Sequence, residues 1–487
     1  MGTVRKSFVW SFAQKYFGLC VSFVTLPILS RILTPHEIGI YTVGVAFVAL
    51  AHVMRDFGVA DYIIQEKELT ETRIKAAFSV SILIGWSIGL LLIVLSAPIS
   101  WLYDEPGIRN VMRVLGFNFF VIPFTLPVLA LLRRRMAFNV RARLLMASTS
   151  TRAVTSITLA FAGFGYMSLA WASLVGVITT AVLAARYRPP GVGLIPSFAE
   201  WRRVASFGGI ATAAVMLNVI GERAADFILG RLLGFNAVGL YSRGEGLVNL
   251  FREGALSAIM PVILPAFSER YHAGDDIKSP YLTGIGYLTG VAWPFFGFVG
   301  LMAYPIIRIL FGPQWDAAVP VAQVLCFAAA IGMPWEFANQ VLIAIGHVRR
   351  ELYAQMVAAP PQILALVILS AYGVEAAAMA VVVRFVLLAA VRTWNLSRLL
   401  DIAFLDILGA TVRSLGLLVL SCIAPVAVLA TMQIDPEHLW TPFLIASAGA
   451  GIGWLGGLVL FNHPLKAEIL LHTGNLRVLL ARVGGGG

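Results

Sequence analysis

The chain has 487 residues, of which 59% are hydrophobic and only 13% charged, and its formal net charge is +11. Soluble domains are about half apolar and about a quarter charged, and an interior of this size cannot absorb the excess, so most of the apolar surface must face lipid. A soluble enzyme is excluded, and the placement of the basic residues, taken up below, excludes nucleic acid as the reason for the charge.

Apolar runs of membrane-crossing length recur from end to end. They predict 14 helical spans, near residues 8–29, 38–62, 76–97, 110–132, 144–163, 167–185, 204–230, 239–267, 280–303, 317–345, 353–371, 375–391, 414–432 and 440–461, each able to cross a hydrocarbon core of ~30 Å. Strand-like alternation is absent, so the expectation is an all-α integral membrane protein and not a β-barrel. The first span lacks a small-residue cleavage site and is expected to remain as a helix.

Polar residues within the spans are candidates for function, because an ionisable group at membrane depth is costly and usually faces a bundle interior or a wet cavity. The first span carries Ser11, Lys15, Gly18, Ser22 and Thr25 in one stripe together with Gln14. That stripe reads equally as a small-residue helix seam, and Lys15 can also snorkel to the headgroups. The second span has His52, Arg55 and Asp56. In the fifth, Arg152 sits with Ser148, Thr155 and Ser156 on one face, with no acidic residue within a turn to neutralise it, which makes it the strongest candidate for an anionic ligand. The seventh span has Asn218, Glu222, Arg223 and Asp226, and the eighth has Arg243, Glu245, Asn249, Arg252 and Glu253. Arg55 with Asp56, Arg223 with Asp226, and Arg252 with Glu253 read at least as well as structural ion pairs between helices.

With the N-terminus inside, 24 of the 36 Lys and Arg fall on one side of these spans. Only Arg31, Arg109, Arg231 and Arg308 fall on the other. This is the positive-inside pattern expected for 14 helices with both ends cytoplasmic, so the charge reports topology.

An internal repeat gives the organisation. Arg31-Ile-Leu-Thr-Pro-His-Glu-Ile-Gly-Ile-Tyr41 returns 200 residues later, without a gap, as Arg231-Leu-Leu-Gly-Phe-Asn-Ala-Val-Gly-Leu-Tyr241. Six spans separate the copies, so the halves enter the membrane in the same direction, as in transporters built from two matching bundles. The expected lobes are residues 1–190 and 191–400, joined by the Pro- and Gly-rich link Arg186–Arg203, with two further helices and a tail in 401–487. No expected loop is large enough for a soluble catalytic domain. There is no P-loop, no H-E-x-x-H and no Cys/His cluster. Gly85-Trp-Ser-Ile-Gly89 and Gly451-Ile-Gly-Trp-Leu-Gly456 match glycine motifs by letter only, inside apolar spans. No enzyme activity, metal or cofactor is expected.

The Arg31–Tyr41 segment, Gly239-Leu-Tyr-Ser-Arg-Gly-Glu-Gly-Leu-Val-Asn-Leu250 and Pro261-Val-Ile-Leu-Pro-Ala-Phe-Ser268 resemble the polysaccharide repeat-unit flippases of the multidrug/oligosaccharidyl-lipid/polysaccharide exporter superfamily. Asp56-Phe-Gly58, Gly312-Pro-Gln-Trp315 and Gly346-His-Val-Arg-Arg350 are similar to its loop signatures, so the resemblance covers nearly the whole chain. It implies two six-helix lobes plus two trailing helices in a bacterial inner membrane. It also implies transfer of an undecaprenyl-diphosphate-linked oligosaccharide to the outer leaflet, with a polysaccharide polymerase and other assembly proteins as partners. In that fold the first, second, seventh and eighth spans line the cavity, where the charges gather here. The family's cationic positions are not uniform, so a diphosphate role for Arg152, Arg55 or Arg252 rests on their chemistry. A cation-coupled multidrug exporter and a peptidoglycan lipid-precursor flippase are the alternatives.

Overall fold

In a computed structural model, residues 2–55, 59–187, 209–432, 435–436 and 438–468 are described. The described residues are helical, with no strand among them. Asp56, most of the Arg186–Arg203 link and the first residues of the seventh expected span lie outside them.

The first half contains α1 (Gly2–Ile32), α2 (Pro35–Arg55), α3 (Val59–Gln65), α4 (Glu71–Tyr103), α5 (Pro106–Val121), α6 (Leu126–Arg134), α7 (Phe138–Phe161), α8 (Met167–Arg186), α9 (Gly209–Leu232) and α10 (Phe235–Phe251). The second half continues with α11 (Ser257–Ala273), α12 (Lys278–Leu301), α13 (Ala303–Phe311), α14 (Val319–Gly332), α15 (Ala338–Ala344), α16 (Val348–Ser370), α17 (Val374–Ala378), α18 (Ala380–Leu400), α19 (Phe404–Thr431) and α20 (Trp440–Leu460). Within the described residues, each expected span overlaps one long helix or a broken one.

Among the described residues, eleven helical stretches are long and apolar enough to cross a membrane, or twelve if α5 and α6, bent by 46°, count as one span. The bend follows Ile122-Pro-Phe124, where proline removes a backbone donor. The two remaining expected spans are the more polar α7, with Arg141, Arg143 and Arg152, and α9, with Glu222, Arg223, Asp226 and Arg231. The count of 14 is compatible with this architecture.

The helices form two compact units, Met1–Ser242 and Arg243–Gly487. In the first unit the sequence repeat becomes a structural one. α1 ends at Ile32 and α2 begins at Pro35, while α9 ends at Leu232 and α10 begins at Phe235. The turns are closed by different means. Thr34 and Glu37 form a reciprocal capping box, with Thr34 N–H donating to Glu37 Oε2 at 2.9 Å and Glu37 N–H to Thr34 Oγ1 at 3.3 Å. In the second copy Gly234 takes φ +81°, a left-handed turn that glycine adopts without strain.

The motif's glycines let the two helix starts touch. A Cβ on Gly39 would fall on the carbonyl of Phe235, 2.9 Å from its Cα, and a Cβ on Gly239 would fall on the carbonyl of Pro35, 3.0 Å from its Cα. Only bare Cα–H groups permit this reciprocal approach. Around it, Tyr103 donates to the Phe227 carbonyl at 3.0 Å, and Phe47 lies 4.7 Å from Phe227, ring to ring. Elsewhere in the unit, Arg134 donates to the carbonyls of Ile63 (2.8 Å) and Glu66 (2.5 Å), which caps the end of α3.

Polar contacts tie helices of the second unit together, two clusters among them. Glu351 on α16 and Arg392 on α18 form a buried two-pronged pair, at 2.7 Å and 3.2 Å. Gln355 donates to Glu351 at 2.9 Å and accepts from Arg384 at 3.2 Å. On α19, small polar residues face inward: Thr411, Ser414 and Ser421 are buried. Leu405, Val412, Val419 and Val426, one heptad apart, are exposed. That inversion of the soluble pattern is what a lipid-facing helix requires, because the outer face meets hydrocarbon and the inner face needs close packing. Ser414 ties α19 to α12 through Thr289 (2.9 Å) and to His463, just past α20, through its Nε2 (3.2 Å).

Candidate functional site

Arg152 lines a cavity of about 280 Å³ in the first unit. α1 supplies Val21, Ser22, Thr25 and Leu29, and α2 supplies Tyr41. α7 supplies Thr149, Arg152, Ala153 and Ser156, and α8 closes the wall with Leu169 and Ala172. The polar stripe of the first span thus meets the Ser/Thr-rich face of the fifth. α7 and α8 approach closely at Gly176, where an added Cβ would lie 3.3 Å from Arg152 Cβ. Ser148 fixes the same crossing by donating to the Gly176 carbonyl at 2.7 Å.

The cavity is cationic and hydroxyl-rich, and no carboxylate is among its described lining residues. Thr149 and Ser156 donate back to the Leu145 and Ala153 carbonyls of their own helix, at 2.9 Å each. Within the described residues, Arg152 forms no hydrogen bond or ion pair.

The other sequence candidates lie elsewhere. Arg55 rests over the Phe119 ring at 6.0 Å, beside His52 at 4.7 Å from the same ring. Asp56 is outside the described residues. Lys15 Nζ is buried with no hydrogen-bond partner among the described residues. Asn218 donates to Glu222 at 3.2 Å, and Arg223 pairs with the buried Asp226 at 3.2 Å, the arrangement expected of a structural pair. In the second unit, Arg243 is buried with its guanidinium 4.9 Å from the Trp315 ring and 5.5 Å from Phe311. Asn249 is half-buried on α10. Arg252 opens a π-helical turn, Arg252–Leu256, between α10 and α11, a local irregularity common at functional positions. Among the described charged candidates, Arg152 is the one that lines the cavity in the first unit.

Tyr41 and Thr149 went unnoticed as site residues in the sequence. Tyr41 carried a signal, as the last residue of the repeat, but no spacing rule places it against a residue on α7. Glu351 was missed as the partner of Arg392, which reads from sequence as one more cytoplasmic arginine.

A bundle of membrane-crossing helices with a duplicated hairpin and an internal polar cavity is a transporter architecture. The fold recurs among solved structures. The fold is similar to lipid II flippase MurJ in its inward closed conformation, with a TM-score of 0.74 at 12% identity, over 94% of this chain and 99% of that one. It is also similar to an inward-facing multidrug resistance MATE family transporter of the MOP superfamily, with a TM-score of 0.64 at 15% identity, over 79% of this chain and 98% of that one. The sequence decides the family. The polysaccharide biosynthesis protein family matches residues 28–320, more than half of the chain, and the chain belongs to it. Its relatives include the succinoglycan biosynthesis transport protein ExoT of Rhizobium meliloti (strain 1021), 28% identical over 339 residues that span 68% of this chain and 67% of that one. The lipopolysaccharide biosynthesis protein WzxC of Escherichia coli (strain K12) is 24% identical over 328 residues, 65% of each chain. These matches span about two thirds of the relatives' own length.

Proposed function

We propose that the chain flips undecaprenyl-diphosphate-linked oligosaccharide units from the inner to the outer leaflet of a bacterial inner membrane, for cell-surface polysaccharide assembly. The observation that carries the reading is the Arg152 cavity: a cation and several hydroxyls at membrane depth with no carboxylate among the described lining residues. Such a lining suits a diphosphate, whose oxygens an arginine fork engages two at a time. It does not suit the cationic substrates of a multidrug exporter. Membership of the polysaccharide biosynthesis family supports the same substrate class.

The physical task fits a helical bundle. The polyprenyl tail need not leave hydrocarbon, while the sugar head cannot cross it, so the protein shelters the head alone. Alternating movement of lobes 1–190 and 191–400, with 401–487 as an accessory, would expose the head to each side in turn. Both termini lie in the cytoplasm by the positive-inside rule, and a polymerase on the outer side would use the delivered units. The bundle moves its substrate without altering it.

The test is deletion of the gene in a strain with no second flippase, followed by quantification of lipid-linked repeat units in each leaflet. Loss from the outer leaflet with accumulation in the inner one is expected, and undiminished arrival would sink the proposal. Restoring the wild-type gene should recover export, whereas Arg152→Ala should insert normally and fail.

A further inference from the structure

Several basic residues near helix ends are taken up by the fold itself. In the second unit Lys278 pairs with Asp406 at 2.7 Å, Arg392 pairs with Glu351 at 2.7 Å, and Arg350 donates to Asn395 at 3.2 Å. In the first unit, the middle residue of the run Arg133–Arg135 turns inward to cap α3. Its neighbours Arg133 and Arg135 are exposed, and so are Arg143 and Arg186. Among the described residues none of these four forms a hydrogen bond or an ion pair, and Arg143 rests over the Trp10 ring at 5.5 Å. Packing brings three of them to one rim. Val128 and Leu132 of α6, Leu144 of α7 and Ala184 of α8 are buried together in one apolar cluster. Arg133 and Arg143 are chain neighbours of Leu132 and Leu144, and Arg186 follows Ala184 by two residues. Val154 and Phe161 come eleven and eighteen residues after Arg143, close to whole helical turns, so they share its face of α7, and both are exposed. Arg152, nine residues on, lies on the opposite face and lines the cavity. On α8, Val182 and Ile178 precede Arg186 by four and eight residues and are exposed as well. Each of the two helices therefore ends an exposed apolar row in an arginine without a counter-charge.

We propose that this rim is a docking surface for an anionic phospholipid of the bilayer, with its phosphate among Arg133, Arg143 and Arg186 and an acyl chain along the exposed row of α7. The row from Arg143 to Val154 spans about 16 Å at ~1.5 Å per residue. That is the depth of one leaflet, half of a hydrocarbon core of ~30 Å. A phospholipid has the same proportions, a charged head at the interface and a chain one leaflet deep. Guanidinium groups suit its phosphate because they donate paired hydrogen bonds. Trp10, under Arg143, and the exposed Tyr187 supply the aromatic rings that settle at headgroup level. The positive-inside pattern assigns this rim to the cytoplasmic side, where basic clusters at helix ends attract anionic lipids. A topology signal alone requires only positive charge on that side. It does not require the charges to lack carboxylate partners, nor to gather over two exposed apolar rows. None of these arginines lines the cavity, and the inference does not rest on the flippase reading.

The experiment is native mass spectrometry of the purified full-length chain in detergent, exchanged with an equimolar mixture of phosphatidylglycerol and phosphatidylcholine. Wild type should retain phosphatidylglycerol over phosphatidylcholine by about fivefold or more. Arg143→Gln/Arg186→Gln should bring the ratio close to parity. Arg270→Gln, at an exposed arginine on α11 beside Glu269, should leave it unchanged. Should the double variant not fold, Arg133→Gln, exposed at the end of α6, decides on its own by lowering the ratio about twofold or more. Two competitors, inorganic phosphate and farnesyl diphosphate, are added separately at the concentration of the phosphatidylglycerol. Retention against both assigns the surface to phospholipid. Displacement by phosphate would make it a free-anion site and displacement by farnesyl diphosphate a polyprenyl-lipid site, and either result overturns the proposal. So does a wild type without headgroup preference, or glutamine variants that keep it. Transport is not the readout, so the flippase reading and this proposal fail separately.

Discussion

Replacing Gly39 by alanine puts a methyl group onto the carbonyl of Phe235, with the Phe235 Cα 2.9 Å away, and backbone atoms cannot rotate aside. α2 and the start of α10 must separate by about an ångström or more, which also loosens the edge-on stacking of His36 on Phe235 at 5.7 Å and the Tyr103–Phe235 contact at 6.2 Å. Overpacking of this kind costs about 1–3 kcal/mol, and a backbone obstacle belongs at the upper end. Alanine gains back at most about 1 kcal/mol in helix propensity, so the net loss is about 2 kcal/mol. Gly239→Ala, facing the Pro35 carbonyl, should cost the same. The two contacts share one interhelical distance, so once the first methyl has opened the crossing the second costs little. A double-mutant cycle should therefore show a coupling of about 1 kcal/mol or more, where separate sites add to within about 0.5 kcal/mol. The assay is thermal or denaturant unfolding of the detergent-solubilised protein, with Gly18→Ala as control, since no atom lies within 4 Å of a Cβ there. Unchanged stability of Gly39→Ala, or strict additivity in the double variant, would refute the reciprocal crossing.

Two further outcomes follow from the second unit. Glu351→Gln strands the Arg392 charge in a buried site and should cost about 3–5 kcal/mol, visible as reduced folded yield; the double variant Glu351→Leu/Arg392→Met should recover most of it. At His463, the Leu465 N–H donates to Nδ1 at 3.3 Å and Nε2 faces Ser414, so a second ring proton has no acceptor. Burial first, and the nearby Arg413 second, hold the imidazole below its ordinary range. The folded state then binds fewer protons than the unfolded one, so the contribution of His463 is fully present above about pH 6.5 and is lost as pH falls below it. The stability gap between wild type and His463→Gln, measured by melting across that window, should narrow on acidification; a constant gap refutes the assignment.

The sequence revealed the scaffold because the bilayer constrains it so strongly. A hydrophobic thickness fixes span length, and backbone groups in lipid must be satisfied within each helix, so the described span limits could be placed to within about ten residues, the polar α7 included. The short connections were legible too, since Gly163, Gly165 and Gly373 stand at positive φ in the turns that join α7 to α8 and α16 to α17. The site was less legible because it depends on which helix faces meet. Ser22 and Thr25 read as a seam or a pore lining with equal ease until α7 brought Arg152 against them. Arg243 looked like one cavity candidate among several. Its aromatic neighbours, Phe311 and Trp315, are too distant in the chain for periodicity to connect them.

The repeat explains why part of the site is asymmetric. What the two copies share is backbone: helix limits offset by the same 200 residues, and a glycine where each helix start meets the carbonyl at the start of the other. A pairwise approach of that kind constrains both glycines together, because a side chain at either one opens both contacts. Nothing comparable constrains the side chains that point away from the crossing. Lys15 stands opposite Val215 in the alignment, and Val215 is 51% exposed. Tyr41 borders the cavity, whereas Tyr241 is 5% exposed and packed away. A duplication fixed at its crossing and free elsewhere can carry a cavity lined by hydroxyls and an arginine in one copy while the other supplies only the frame.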